Sequence, residues 1–121
     1  MTWFNQIVKL WVDVKVAGNI PVIYCDCGFL DKDVTSFNAR FDIEEESVNQ
    51  LTAGKFYFGT SKTNLIHSEV AGVDLGNFVD IANVDLSAFL TADVKYYCQF
   101  RPDSGDPCER ANSGIYSFVA E

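Results

Sequence analysis

The stretch that most constrains the fold runs from Leu90 to Glu121. Val94, Tyr96, Cys98 and Phe100 alternate with Lys95, Tyr97, Gln99 and Arg101, and a period of two puts one set on each face of a half-buried strand. The segment from Pro102 to Pro107 then breaks the pattern, because proline has no amide donor and Gly105 can take positive φ. A second β-rich run follows from Ile115 to Val119. Together they read as the last hairpin of a sheet whose apolar face needs a cover.

Upstream segments can supply it. Phe37, Ala39, Phe41 and Ile43 alternate with Ser36, Asn38, Arg40 and Asp42, the pattern of a strand buried on one face. Val22 to Leu30 reads as a short strand with Cys25 and Cys27 on one side. Lys55 to Ser61 ends a strand in a turn, and Leu65 to Val70 reads as a short edge strand. Val79, Ile81, Val84 and Leu86 form an apolar run interrupted at Ala82-Asn83, where a bulge shifts the register. Gly72 and Gly76 are read as lone glycines between strands.

The first residues carry two competing periods. Trp3, Phe4, Ile7, Val8 and Trp11 have the spacing of one helix face. Val8, Leu10, Val12, Val14 and Val16 alternate with Lys9, Trp11, Asp13 and Lys15, and the valine content favours a strand from about Ile7 to Val16. Seven or eight short strands at roughly 10-residue spacing, with no long helix, predict an antiparallel β-sandwich or barrel. The expected organisation is one all-β domain over residues 1–121. Residues 1–17 form an arm and extra strand, and the sandwich starts near residue 20.

From Val34 to Glu121 the chain resembles a fibronectin type III or related immunoglobulin-like domain. Phe56-Tyr57-Phe58-Gly59-Thr60-Ser61 resembles the third strand and its turn, and the run ending at Leu86 resembles the fifth. Leu90 followed by Tyr96 resembles the corner where a tyrosine hydroxyl bonds back to the chain before the sixth strand. Ser113 to Val119 resembles the closing strand. The tryptophan usual in the second strand is replaced by Phe37 or Phe41, and Thr91-Ala92-Asp93 stands where proline and glycine are usual. The resemblance implies a sandwich of seven strands, which the N-terminal strand exceeds by one, and a fold that hosts many unrelated binding and spacer roles.

Charge narrows the partners. Seventeen acids against nine bases give a formal charge of −8, which argues against nucleic acid or an anionic membrane as partner. No apolar run reaches the roughly 18 residues of a membrane span. The N-terminus has no basic start and no uninterrupted apolar block, so no signal peptide is read. The expectation is a protein that stays in its producer's cytosol, a mature fragment with an added Met, or one released by lysis.

Chemistry-bearing residues are few. Of the four cysteines, Cys98 and Cys108 are the favoured disulfide, with Cys25 or Cys27 bridging to the last sheet as the alternative. Neither pair has the spacing of a thiolate zinc site, and Glu44-Glu45-Glu46 reads as a solvated loop rather than a calcium site. His67, the single histidine, is expected on an exposed strand or turn, and no serine carries a nucleophile-elbow signature. No catalytic residue, cofactor or metal is expected. Phe37, Phe41, Phe56, Phe58 and Phe100 read as core, and the aromatics lack the basic neighbours of a single-strand-binding platform.

The expected function is therefore a non-enzymatic structural or interaction module, a component of a larger assembly such as a phage virion, where it would decorate the capsid or join the tail. Trp3, Phe4 and Trp11 are the candidate docking residues for other subunits, and a homo-oligomer is a further expectation. The alternative is an extracellular adhesion or carbohydrate-binding module with Tyr97, Tyr116 or Trp11 stacking on sugars. Localisation follows as the virion or an extracellular surface.

Overall fold

A computed structural model describes residues 22–44, 51–74, 77–106, 108 and 110–121. Trp3, Phe4 and Trp11, with the predicted strand from Ile7 to Val16, lie outside them. The described residues form eight strands: β1 (Val22–Asp31), β2 (Phe37–Glu44), β3 (Gly54–Gly59), β4 (His67–Val70), β5 (Gly72–Asp74), β6 (Phe78–Val84), β7 (Lys95–Pro102) and β8 (Tyr116–Val119). They pair antiparallel into two four-stranded sheets, ordered β1-β2-β6-β5 and β4-β3-β7-β8. The all-β sandwich expected from the alternating patterns is what the chain builds, with no helix among the described residues.

The period-2 pattern sets which side chains meet between the sheets. Phe37 and Phe41 on β2, Phe56 and Phe58 on β3, and Phe100 on β7 are all fully buried. Phe37 meets Phe58 edge-on at 5.8 Å and Phe41 meets Phe56 at 5.0 Å, so each pair joins one sheet to the other. Phe118 of β8 lies 5.1 Å from Phe37 and 4.6 Å from Phe29. Tilted and edge-on contacts of this kind contribute about 0.5–1.5 kcal/mol each beyond the burial of their surface.

Register shifts in β1 and β6 depart from the plain pattern. In β1 the register advances from Tyr24 opposite Asp42 to Gly28 opposite Arg40, leaving two extra residues in a bulge where Gly28 takes φ 70°. The interruption predicted at Ala82-Asn83 is likewise a bulge: Ala39 faces Ile81, Phe37 faces Val84, and Asn83 takes φ 53°. One expectation is corrected. Gly72 is not a loop glycine but the first residue of β5, and only Ala71 separates β4 in one sheet from β5 in the other. A three-residue strand is too short to display a period of two, so the sequence pattern passes over it.

Main-chain bonds close one end of the sandwich. Val34 N–H donates to the Glu121 carbonyl at 2.9 Å, and Glu121 N–H donates to the Lys32 carbonyl at 2.8 Å. Leu86 N–H donates to the Val34 carbonyl at 2.7 Å, so the β1–β2 turn holds both the β6–β7 connection and the segment after β8.

Candidate functional site

Strand alternation and cross-strand register together define the outer face of the β4-β3-β7-β8 sheet. Because Phe56, Phe58, Tyr96, Cys98 and Phe100 point inward, Lys55, Tyr57, Lys95, Tyr97, Gln99 and Arg101 point outward. Lys55 stands opposite Arg101 and Tyr57 opposite Gln99. On the flanks, Ser68 and Val70 of β4 stand opposite Tyr57 and Lys55, while Ser117 and Val119 of β8 stand opposite Tyr97 and Lys95.

The face is ordered by its own contacts. The Arg101 guanidinium lies 4.5 Å from the centre of the Tyr57 ring. Arg101 Nε donates to Gln99 Oε1 at 2.8 Å, and Gln99 Nε2 donates to the Ser113 carbonyl at 2.8 Å. The Lys95 and Lys62 ammonium groups lie 5.3 and 5.7 Å from the centre of the Tyr97 ring. Each such contact is worth about 0.5–1 kcal/mol at an exposed site, enough to bias where the long side chains rest.

Two properties set this face apart. It carries four of the chain's nine bases (Lys55, Lys62, Lys95 and Arg101) and, among the described strand residues pointing outward from it, no acid, although the whole chain has a formal charge of −8. It is also edged by apolar side chains: Val70 is 67% and Val119 49% exposed, and the neighbouring Ile66 and Ile115 are exposed as well. The sequence analysis treated the aromatics as lacking basic neighbours. For Tyr57 and Tyr97 that is corrected: Arg101 reaches Tyr57 from the paired strand, Lys62 reaches Tyr97 from a distant turn, and Lys95 lies two residues before Tyr97 on the same strand.

The outer face of the other sheet has the opposite character. Register places Arg40 opposite Asp80 and Asp42 opposite Phe78, and Asp74 of β5 also stands opposite Phe78. The Arg40 guanidinium lies over Phe78 at 4.3 Å. Burial pushes the Asp80 carboxyl above its ordinary value, the neighbouring Arg40 pulls it down, and Asp74 adds to the rise.

The remaining predicted residues have structural surroundings. The Tyr96 hydroxyl accepts the Thr91 N–H at 2.8 Å, across the corner that precedes β7. Among the described residues no disulfide is seen, and none joins Cys98 to Cys108. The expected Cys98–Cys108 pair is not formed in this structure. Ser113 N–H bonds the Phe100 carbonyl, while Phe100 N–H bonds Ser113 Oγ, closing the loop between the two cysteines. Cys98 stands opposite Tyr116, and Cys108 N–H donates to Asp106 Oδ1. Cys25 and Cys27 belong to β1, and their side chains lie outside the described set. Tyr116 is half-buried with its ring edge-on to Phe41 at 5.4 Å. His67 stacks on Phe89 at 4.8 Å with the rings 9° from parallel.

The loop holds one group that sequence reading missed. The Asp106 carboxylate accepts from Thr52 N–H at 3.0 Å, the Thr52 hydroxyl at 2.7 Å, Ala53 N–H at 3.2 Å and Cys108 N–H at 2.8 Å. Burial pushes its carboxyl up, but these hydrogen bonds outweigh that effect and hold it below the usual value. Asp106 is only 8% exposed and ties the long β7–β8 loop to the segment entering β3.

Compared with known protein families, characterised proteins and solved structures, the chain finds no match.

Proposed function

We propose that this chain is a non-enzymatic structural and interaction module, a sandwich of the fibronectin type III-like, immunoglobulin-like kind, that works as a component of a larger protein assembly. A phage virion, with the protein decorating the capsid or joining the tail, is the assembly this reading favours. The strand orders support the fold: β1-β2-β6-β5 matches the order of the four-stranded sheet of constant-type immunoglobulin domains, and β3, β7 and β8 match the other sheet with β4 added beside β3. The Tyr96 hydroxyl bonding back to Thr91 supports the tyrosine-corner reading.

The observation that carries the function is the outer face of β4-β3-β7-β8, whose described strand residues point no acid outward. Tyrosine and arginine are enriched where protein partners bury surface, and a centre of Tyr57, Tyr97 and Arg101 with apolar flanks has that composition. Residues 1–17 remain the second proposed docking element, through Trp3, Phe4 and Trp11.

The test is to isolate particles from the virus or cell that encodes the protein, carrying either the wild type or the Tyr57→Ala/Tyr97→Ala/Arg101→Ala variant. The wild type is expected to sediment with the particles. The triple variant, folded by circular dichroism, is expected to remain soluble, as is a form lacking residues 1–17. Equal sedimentation of wild type and triple variant removes the sheet face from the proposal. Wild type found only free of particles ends the assembly reading.

One observation favours a second reading, a carbohydrate-binding or adhesion module: Tyr57 and Tyr97 point outward on the same sheet. Against it, the Arg101 guanidinium lies over the Tyr57 ring, the Lys95 and Lys62 ammonium groups lie near the Tyr97 ring, and Tyr116 packs on Phe41.

A further inference from the structure

We infer that copies of this chain associate front to back, the basic face of β4-β3-β7-β8 on one copy seating on the acidic face of β1-β2-β6-β5 on the next. The inference rests on the interaction-module reading and names the partner of its face as a second copy.

The argument is one of sign. The front presents Lys55, Lys62, Lys95 and Arg101 with no outward acid from its described strands. Among the described residues the back presents Asp42, Asp74 and Asp80 around the guanidinium of Arg40. Front against front brings like charges together, and so does back against back. In a chain of net charge −8, front against back is the pairing of these two faces that brings opposite charges together. Asp80 adds to this. Its carboxylate is partly desolvated, and its rise comes from burial and Asp74 with only Arg40 opposing. An incoming lysine or arginine adds a second counter-charge to that of Arg40.

Geometry sets the strength and form. Four strands about 4.8 Å apart and some six residues long give a face of roughly 20 by 20 Å, below the standard size of a stable interface. Isolated pairs are therefore weak, and the contact becomes firm only where many copies are held together. Because the two faces differ, the contact is heterologous and repeats from copy to copy into a ring or an open row.

Sedimentation velocity on the purified full chain tests this at protein concentrations up to about 1 mM and at two salt concentrations, since exposed charge pairs are screened over roughly 10 Å at 0.1 M. Wild type is expected to self-associate, and raising salt from about 0.02 to 0.3 M should weaken it about tenfold or more. Two variants, Lys55→Glu/Arg101→Glu and Asp74→Lys/Asp80→Lys, should each be monomeric alone. Mixed together they should associate again, because each supplies the face the other has lost.

Wild type that stays monomeric at low salt overturns the inference, as does self-association unaffected by either variant. Loss without recovery on mixing also overturns it. If monomeric wild type instead binds a fluorescent twelve-nucleotide thymidine strand, the front is a polyanion site and the inference fails. If it is monomeric yet its Tyr57, Tyr97 and Arg101 still govern sedimentation with particles, the assembly reading stands and only self-pairing is lost.

Discussion

Replacing Asp106 by alanine should cost more than any other single surface-loop change in this protein. Three backbone donors, from Thr52, Ala53 and Cys108, converge on one carboxylate together with the Thr52 hydroxyl. Removing it leaves those N–H groups without their acceptor in a position where Asp106 is only 8% exposed. Water can reach part of the site because Thr52 is exposed. Taking about 1 kcal/mol for each stranded amide gives a loss of about 3 kcal/mol. For a domain of this size that is a fall in Tm of about 12 °C. Urea unfolding followed by circular dichroism measures it directly.

The same carboxylate gives a pH signature. Its folded pKa lies below the ordinary carboxylate value, so its contribution is complete above the unfolded pKa of about 3.9 and fades as pH falls through the lower folded value. Asp106→Asn keeps the shape and cannot titrate. The advantage of wild type over Asp106→Asn should therefore be constant from pH 7 to about 5 and shrink below about 4. A loss under 1 kcal/mol for Asp106→Ala, or a gap to Asp106→Asn that does not change down to pH 2.5, would refute the reasoning.

Two further substitutions probe the frame of the sandwich. Tyr96→Phe removes the acceptor of the Thr91 N–H and should cost about 1 kcal/mol in the same urea assay; an unchanged midpoint would show that the corner bond adds nothing. Gly59→Ala would drive a methyl into the Asn64 carbonyl oxygen, a backbone atom that cannot swing aside, and should lower stability by about 2 kcal/mol or more. Gly105→Ala is the contrast, because φ is +88° with open space around it, so backbone strain alone should cost about 1 kcal/mol. Equal thermal midpoints for the two alanine variants would contradict the assigned clash.

The strands of the core were readable wherever a run was long enough to show its period. β2 and β7, eight residues each, declare their buried faces through Phe37, Phe41, Cys98 and Phe100. β5 has three residues and declares nothing. The candidate interaction face was half readable. Lys95, Tyr97, Gln99 and Arg101 were placed together on one face of their strand, yet the neighbours that make them a surface, Lys55 and Tyr57, come from a strand some forty residues earlier. Local alternation reports which way a side chain points and not which strand lies beside it. Asp106 was hidden for a related reason. Between two prolines it has the look of turn punctuation, and its partners Thr52 and Ala53 are far away in sequence. Cysteine spacing gave the Cys98–Cys108 pair, which the structure does not form, since spacing does not say which side chains meet.

The bonds joining Val34 and Lys32 to Glu121 bear on timing as well as stability. A nascent chain can zip β1 onto β2 as soon as their short turn has been made, because that pairing closes a small loop. The bonds that close this end cannot form until residue 121 exists, since nearly the whole described chain separates the groups they join. Until β8 has been made, Phe29 and Phe37 lack their contacts with Phe118, and the first sheet is covered only in part, a sticky intermediate of the kind that chaperones attend. Ribosome-stalled chains ending before β8 should remain protease-sensitive across β1 and β2, and protection should arrive in one step when the closing residues are added.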